Sequence, residues 1–106
     1  MAVEENYVRL EPHKPVIMRF DAYGWQPRKI TDPDLGFTKT VKALVFHVIE
    51  LNGEPADTVF SIISTKAQKE FEPYLEHDRF KNFRFQVVKE APGFAPPRIM
   101  AVTPIA

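Results

Sequence analysis

The chain has 106 residues, a formal net charge of zero and no cysteine. That length is one domain's worth, able to bury a single core without staples, and the missing thiols exclude disulfides and thiolate metal sites. With 44% hydrophobic and 26% charged residues, it has the composition of an ordinary soluble globular chain, and no apolar run approaches the roughly 18 residues of a membrane span.

Residues 1–14 read as a polar arm, with a short edge strand around Tyr7–Leu10. The opening MAVEENYVRL carries acids where a secretory leader needs basic residues and an apolar run, so a cytoplasmic location is expected. Pro15–Asp21 alternates, with Val16, Met18 and Phe20 on one side and Ile17, Arg19 and Asp21 on the other. That is a strand period. Tyr23-Gly24-Trp25-Gln26-Pro27 reads as a bend, after which Arg28–Thr31 resumes the strand. Asp32-Pro33-Asp34-Leu35-Gly36 has the residues of a turn. Lys39–Leu51 is a long strand, too apolar at Ala43–Val48 for a fully wet face. Asn52-Gly53 is the strongest hairpin signal in the chain. Glu54-Pro55 lengthens that loop, and Thr58–Ser64 is the partner strand.

A single helix is expected over Thr65–Leu75. Thr65 and Gln68 have capping-box spacing, and Ala67, Phe71, Tyr74 and Leu75 form one apolar stripe. Pro73 kinks or ends it, because proline lacks the N–H that a helical bond needs. Phe80–Glu90 alternates again, Phe83, Phe85 and Val87 against Arg84, Gln86 and Val88. Ala91–Pro97 is a loop and Arg98–Pro104 the last strand.

The order is therefore three strands, a helix and two strands. It resembles the oligonucleotide/oligosaccharide-binding (OB) fold, and is similar in pattern to small archaeal and phage single-stranded-DNA-binding proteins. The resemblance covers residues 15–104 and rests on element order. It implies a mainly β, OB-like five-stranded barrel over residues 15–106, with the helix between the third and fourth strands plugging one end. It also implies a barrel face that meets single-stranded nucleic acid.

Charge supports that direction through its distribution. Residues 14–47 carry Lys14, Arg19, Arg28, Lys29, Lys39 and Lys42 against Asp21, Asp32 and Asp34. Residues 79–98 carry Arg79, Lys81, Arg84, Lys89 and Arg98 against Glu90 alone. The helical stretch and one hairpin are acidic, so a neutral chain can still present a basic face. Aromatic residues interleave with the cations: Tyr23 and Trp25 beside Arg28 and Lys29, Phe83 and Phe85 around Arg84, and Phe94 between Lys89 and Arg98. Single-strand binding needs both kinds, cations for phosphates and flat rings for bases. Most of the nine phenylalanines, Phe83 and Phe85 included, are expected in the core, while Trp25 and Phe94 lie in segments read as loops.

Catalytic signals are thin. His13, His47 and His77 are far apart and make no zinc spacing. His47, within an apolar strand, reads as a histidine satisfied inside the barrel. No Gly-x-Ser-x-Gly elbow or Gly-rich phosphate loop occurs. Ten prolines against four glycines, with no cysteine, fit a thermophile's stiffened loops. The expectation is a non-enzymatic protein without cofactor or metal that binds single-stranded DNA, or RNA, with little sequence preference. Its expected contacts are Arg19, Tyr23, Trp25, Arg28, Lys29, Lys39, Lys42, Arg84, Lys89, Phe94 and Arg98. The alternative is a protein-interaction module, a small barrel subunit that docks a protein partner or a second copy of itself. No membrane partner is expected.

Overall fold

A computed structural model describes residues 8–31, 34, 36–91 and 96–105. The chain is mainly β. Five strands, β1 (Val16–Thr31), β2 (Thr38–Leu51), β3 (Glu54–Ile62), β4 (Phe83–Lys89) and β5 (Pro97–Pro104), form one antiparallel sheet in the order β3-β2-β1-β4-β5. A short helix, α1 (Thr65–Phe71), and two 3-10 segments, Glu72–Tyr74 and Glu76–Asn82, join β3 to β4. Among the described residues β3 and β5 are the sheet edges and no ladder pairs them. No helix among the described residues is long and apolar enough to cross a membrane.

Alternation decides which side chains form the core. Met18 and Phe20 of β1, Leu44, Phe46 and Val48 of β2, Phe60 and Ile62 of β3, and Phe85 and Val87 of β4 are all buried in one cluster. Ala67 and Phe71 of α1 and Phe80 of the second 3-10 segment close over them. Rings dominate: Phe20 stacks on Phe46 at 4.2 Å, and Phe71 lies 5.3 Å from Phe46 and 5.6 Å from Phe85. Each fully buried phenylalanine contributes about 1.5–3 kcal/mol through burial, and well-set ring pairs add about 0.5–1.5 kcal/mol. Phe83 is half-buried at the margin, against Tyr74.

The turn at Asn52-Gly53 forms as its residues require, with φ of 51° and 86°. Positive φ at both central positions is what makes Asn-Gly the preferred pair in two-residue hairpins. Asn52 also stitches the hairpin to β1. Its backbone N–H donates to the Ile17 carbonyl at 2.8 Å, and its Oδ1 accepts from the Ile17 N–H at 3.0 Å. Glu54 and Pro55 do not lengthen the loop; they pair directly with Leu51 and Glu50.

The bend expected at Tyr23–Pro27 is absent. β1 runs unbroken, Tyr23 facing Phe46 and Pro27 facing Lys42. Proline is admitted in a strand that has no neighbour on one side, and β4 pairs with β1 only at Val16–Met18. The irregularity falls earlier, where the register shifts between Arg19, Phe20 and Ala22.

The helix is shorter than expected and differently capped. Ser64, not Thr65, is the N-cap, and its Oγ accepts from the Ala67 N–H. Gln68 does not reach back as a capping-box partner. It is buried, and its Nε2 donates to the carbonyls of Lys42 and Ile62 at 2.8 and 2.9 Å. Pro73 converts the segment after Phe71 to 3-10 geometry, and β4 begins at Phe83 because residues 80–82 stay in the second 3-10 segment. Of the expected edge strand at Tyr7–Leu10, Tyr7 lies outside the described residues. Val8 donates its N–H to the Val59 carbonyl of β3 at 2.7 Å, and His13 donates to the Lys89 carbonyl of β4 at 2.7 Å. Val8 and Leu10 pack against the core.

Candidate nucleic-acid interface

Two strands outrun their neighbours. β4 pairs with β1 only at Val16–Met18, and β3 pairs with β2 only from Leu44 onward. Gln26–Thr31 and Thr38–Ala43 therefore form a two-stranded ribbon, paired within itself and flanked by no further strand among the described residues. At its base Ala43 is buried and the Lys42 carbonyl accepts from Gln68. Six residues at roughly 3.3 Å each give it a reach of about 20 Å. The molecule measures 48 × 33 × 27 Å. A hydrogen-bond-length contact of 3.3 Å between the Thr31 and Thr38 hydroxyls closes the last rung.

Directly opposed residues share a face in an antiparallel pair. One face continues from the core and carries Tyr23 and Phe46, then Trp25 and Leu44, then Pro27 and Lys42, then Lys29 and Thr40. The other carries Gln26 and Ala43, Arg28 and Val41, then Ile30 and Lys39. Tyr23 is anchored at the base: its ring meets Phe80 edge-on at 5.5 Å, yet 38% of the residue remains exposed. Trp25, one step further out, is 41% exposed. The Lys42 Nζ lies 5.9 Å from the centre of its ring, within cation–π range.

Six of the eleven expected contacts thus converge on one element: Tyr23, Trp25, Arg28, Lys29, Lys39 and Lys42. Among the described residues no ion pair engages these four cations. The turn beyond Thr31 is only partly described, with Asp32, Pro33 and Leu35 outside it. Gly36 takes the positive φ expected of that turn, 76°. Next to it Phe37 is 53% exposed. Alternation could not flag Phe37 because it sits in the turn and not in a strand.

The other cations lie elsewhere, and Arg19, Arg84 and Arg98 have acidic partners. Arg19 and Arg84 share Glu50 on the sheet face away from the core: Arg84 Nε is 2.8 Å from Glu50 Oε1, and Arg19 Nη1 is 3.7 Å from Oε2. The Arg84 hydrogen bond holds the Glu50 carboxyl below the usual carboxylate range. Arg98 forks onto Glu90, with nitrogen–oxygen distances of 2.7 and 3.2 Å. Lys89 is half-buried at the end of β4, where Pro12 forms a bridge beside it. Phe94 lies outside the described residues. Of the second basic segment, Arg84 is thus compensated by an acid 34 residues away and Arg98 by the segment's own Glu90.

A further cluster was invisible in the sequence. His47 on β2 is held between two carboxylates, Nδ1 at 2.6 Å from Asp21 and Nε2 at 2.8 Å from Asp57. Asp21 is the extra residue where the β1 register shifts, and a bulge re-aims the side chain it carries. Hydrogen bonds first to Asp57 and then to Asp21 raise the imidazole pKa above its ordinary value. With both nitrogens engaged, the ring has no free lone pair to act as a base or a ligand. It cross-links three neighbouring strands. Among the described residues no group of three or more His, Cys, Asp and Glu side chains is arranged to hold a metal ion.

Half-exposed rings beside cations that no ion pair engages among the described residues, on a narrow two-stranded element, can stack on flat groups and neutralise a polyanion. Comparison with protein-family models, with curated proteins and with solved structures finds no match for this chain.

Proposed function

We propose that this protein binds single-stranded nucleic acid, DNA in the first instance, through the β1–β2 ribbon. The observation that carries the reading is the convergence of Trp25 and Tyr23 with Arg28, Lys29, Lys39 and Lys42 on one projecting element. Bases would stack on the two rings, and the lysines and arginine would replace the phosphates' condensed counterions. Sequence preference would be slight, since every base has a face to stack.

The ribbon's own chemistry favours a polyanion over another protein strand. A bare strand edge invites pairing with a second chain unless lysines or proline obstruct it. Here Pro27 interrupts the β1 edge, and the four cations repel a like-charged copy. The architecture is also compatible with an OB-like barrel. A five-stranded sheet whose edges are β3 and β5 becomes one when those edges approach, with α1 in the seam. Glu70 of α1 already accepts from the Ile99 N–H of β5 at 2.9 Å.

The test is a salt titration with labelled single strands and duplexes. Single-strand affinity should fall with salt with a log–log slope of about −0.7 per phosphate neutralised, or about −3 if all four ribbon cations engage. Lys29→Glu should weaken binding severalfold, and Lys66→Glu on α1 should not. Salt-independent binding, or equal effects at both positions, would reject the ribbon as the binding element.

A further inference from the structure

The ribbon divides along its length into two kinds of surface. Near the body, the rings of Tyr23 and Trp25 lie on one face only, the face continuous with the core. Further out, cations occur on both faces: Lys29 and Lys42 on the ring-bearing face, Arg28 and Lys39 on the opposite one. A single strand laid along one face reaches only one of these pairs. Two phosphate backbones flanking the ribbon reach both. A two-stranded β-ribbon is narrow enough to enter the major groove of a duplex, which is roughly 12 Å wide, and there it is flanked by two backbones. An indole cannot stack on bases that are already paired and stacked, so the ring-bearing base of the ribbon calls for unpaired nucleotides.

We infer that the preferred ligand is a junction between single-stranded and duplex nucleic acid, with the outer ribbon in the duplex groove and the unpaired end on Trp25 and Tyr23. This rests on the proposed nucleic-acid function and narrows its substrate class. It assigns different work to cations that the sequence treats alike. Lys29 and Lys42 serve any strand that crosses the ring face. Arg28 and Lys39 serve only a ligand that surrounds the ribbon.

The experiment compares three labelled ligands at one salt concentration with the full-length chain: a single strand, its blunt duplex, and the duplex extended by a short single-stranded tail. The tailed duplex should bind about tenfold more tightly than either of the others, the increment of a stacked base or two. Trp25→Ala should reduce its affinity to that of the blunt duplex. Arg28→Glu should weaken the tailed duplex severalfold and leave the single strand unchanged, whereas Lys29→Glu should weaken both. Trp25 emission should be quenched by the tailed duplex and the single strand, and not by the blunt duplex. Equal affinity for single strand and tailed duplex, or an Arg28→Glu variant that binds the tailed duplex normally, would overturn the inference and leave single-strand binding standing. Failure to bind any of the three would overturn both.

Discussion

Phe71→Ala should be among the most damaging single substitutions in this chain. The ring is fully buried and lies within 6.5 Å of four others, Phe20, Phe46, Phe60 and Phe85, which come from β1, β2, β3 and β4. It is the point where α1 touches four of the five strands. Truncating a buried phenylalanine costs about 3–5 kcal/mol, and the value depends on how far the surroundings collapse into the cavity. Here the walls are rings fixed to hydrogen-bonded strands, which resist collapse, so the loss should fall in the upper half of that range. Against the 5–15 kcal/mol typical of a whole domain, that is a large fraction. Urea denaturation followed by circular dichroism reads it directly. With a slope of about 2 kcal/mol per molar, a 4 kcal/mol loss lowers the midpoint by about 2 M with the slope unchanged. A shift equivalent to less than about 1 kcal/mol would show that α1 does not rest on this core and would refute the packing argument.

Other outcomes follow from single contacts. The carboxylates on His47 raise its folded-state pKa, so the stabilisation is complete below the ordinary value of 6.5 and lost as pH rises through the raised value. The stability gap between wild type and His47→Gln should therefore narrow as pH climbs through that window; an imidazole titrating at or below 6.5 by NMR would contradict the geometry. Gly53→Ala should cost about 1–2 kcal/mol through its φ of 86° alone, because nothing lies within 4 Å of the added methyl; a neutral thermal melt would mean the turn has other conformations open to it. Trp25→Ala should lower stability by less than about 1 kcal/mol, since the indole lies beyond the core, while weakening single-strand binding about ten- to a hundredfold. An unfolded variant would place the indole's main role in folding.

Much of the body was legible because its signals are local. The alternation Phe83, Phe85, Val87 and the stripe Ala67, Phe71, Tyr74 each mark a buried face within a few residues. Asn52-Gly53 marks its own turn. The continuity of β1 was not legible: Gly24 and Pro27 look like breakers, and only the ladder with β2, together with the missing neighbour on the other side, makes them tolerable. Gln68 carried the spacing of a cap, yet its amide is drawn to the Lys42 and Ile62 carbonyls, left over where the β2–β3 ladder ends. The site was half legible. Trp25, Arg28 and Lys29 are close in sequence and remain close in space. The pairing of Arg84 with Glu50, 34 residues away, could not be read from segment charges, and it removes that arginine from the set of open cations. Asp21 reaches His47 only because the strand register slips beside it.

The ribbon has a consequence for motion. Its outer rungs are held by one neighbour each and by almost no buried side chain, and an isolated hairpin of this kind is marginal in water. The body is held by five strands and a ring cluster. The two should therefore open independently: amide hydrogens near Thr31 and Thr38 should exchange through local fraying, those near Phe46 and Phe85 only through global unfolding. A ligand that grips the outer rungs must hold them closed and should slow exchange there first. Residues such as Phe71, buried in the ring cluster and outside the proposed ligand contacts, should change the melting temperature and leave the ribbon's own opening equilibrium nearly untouched.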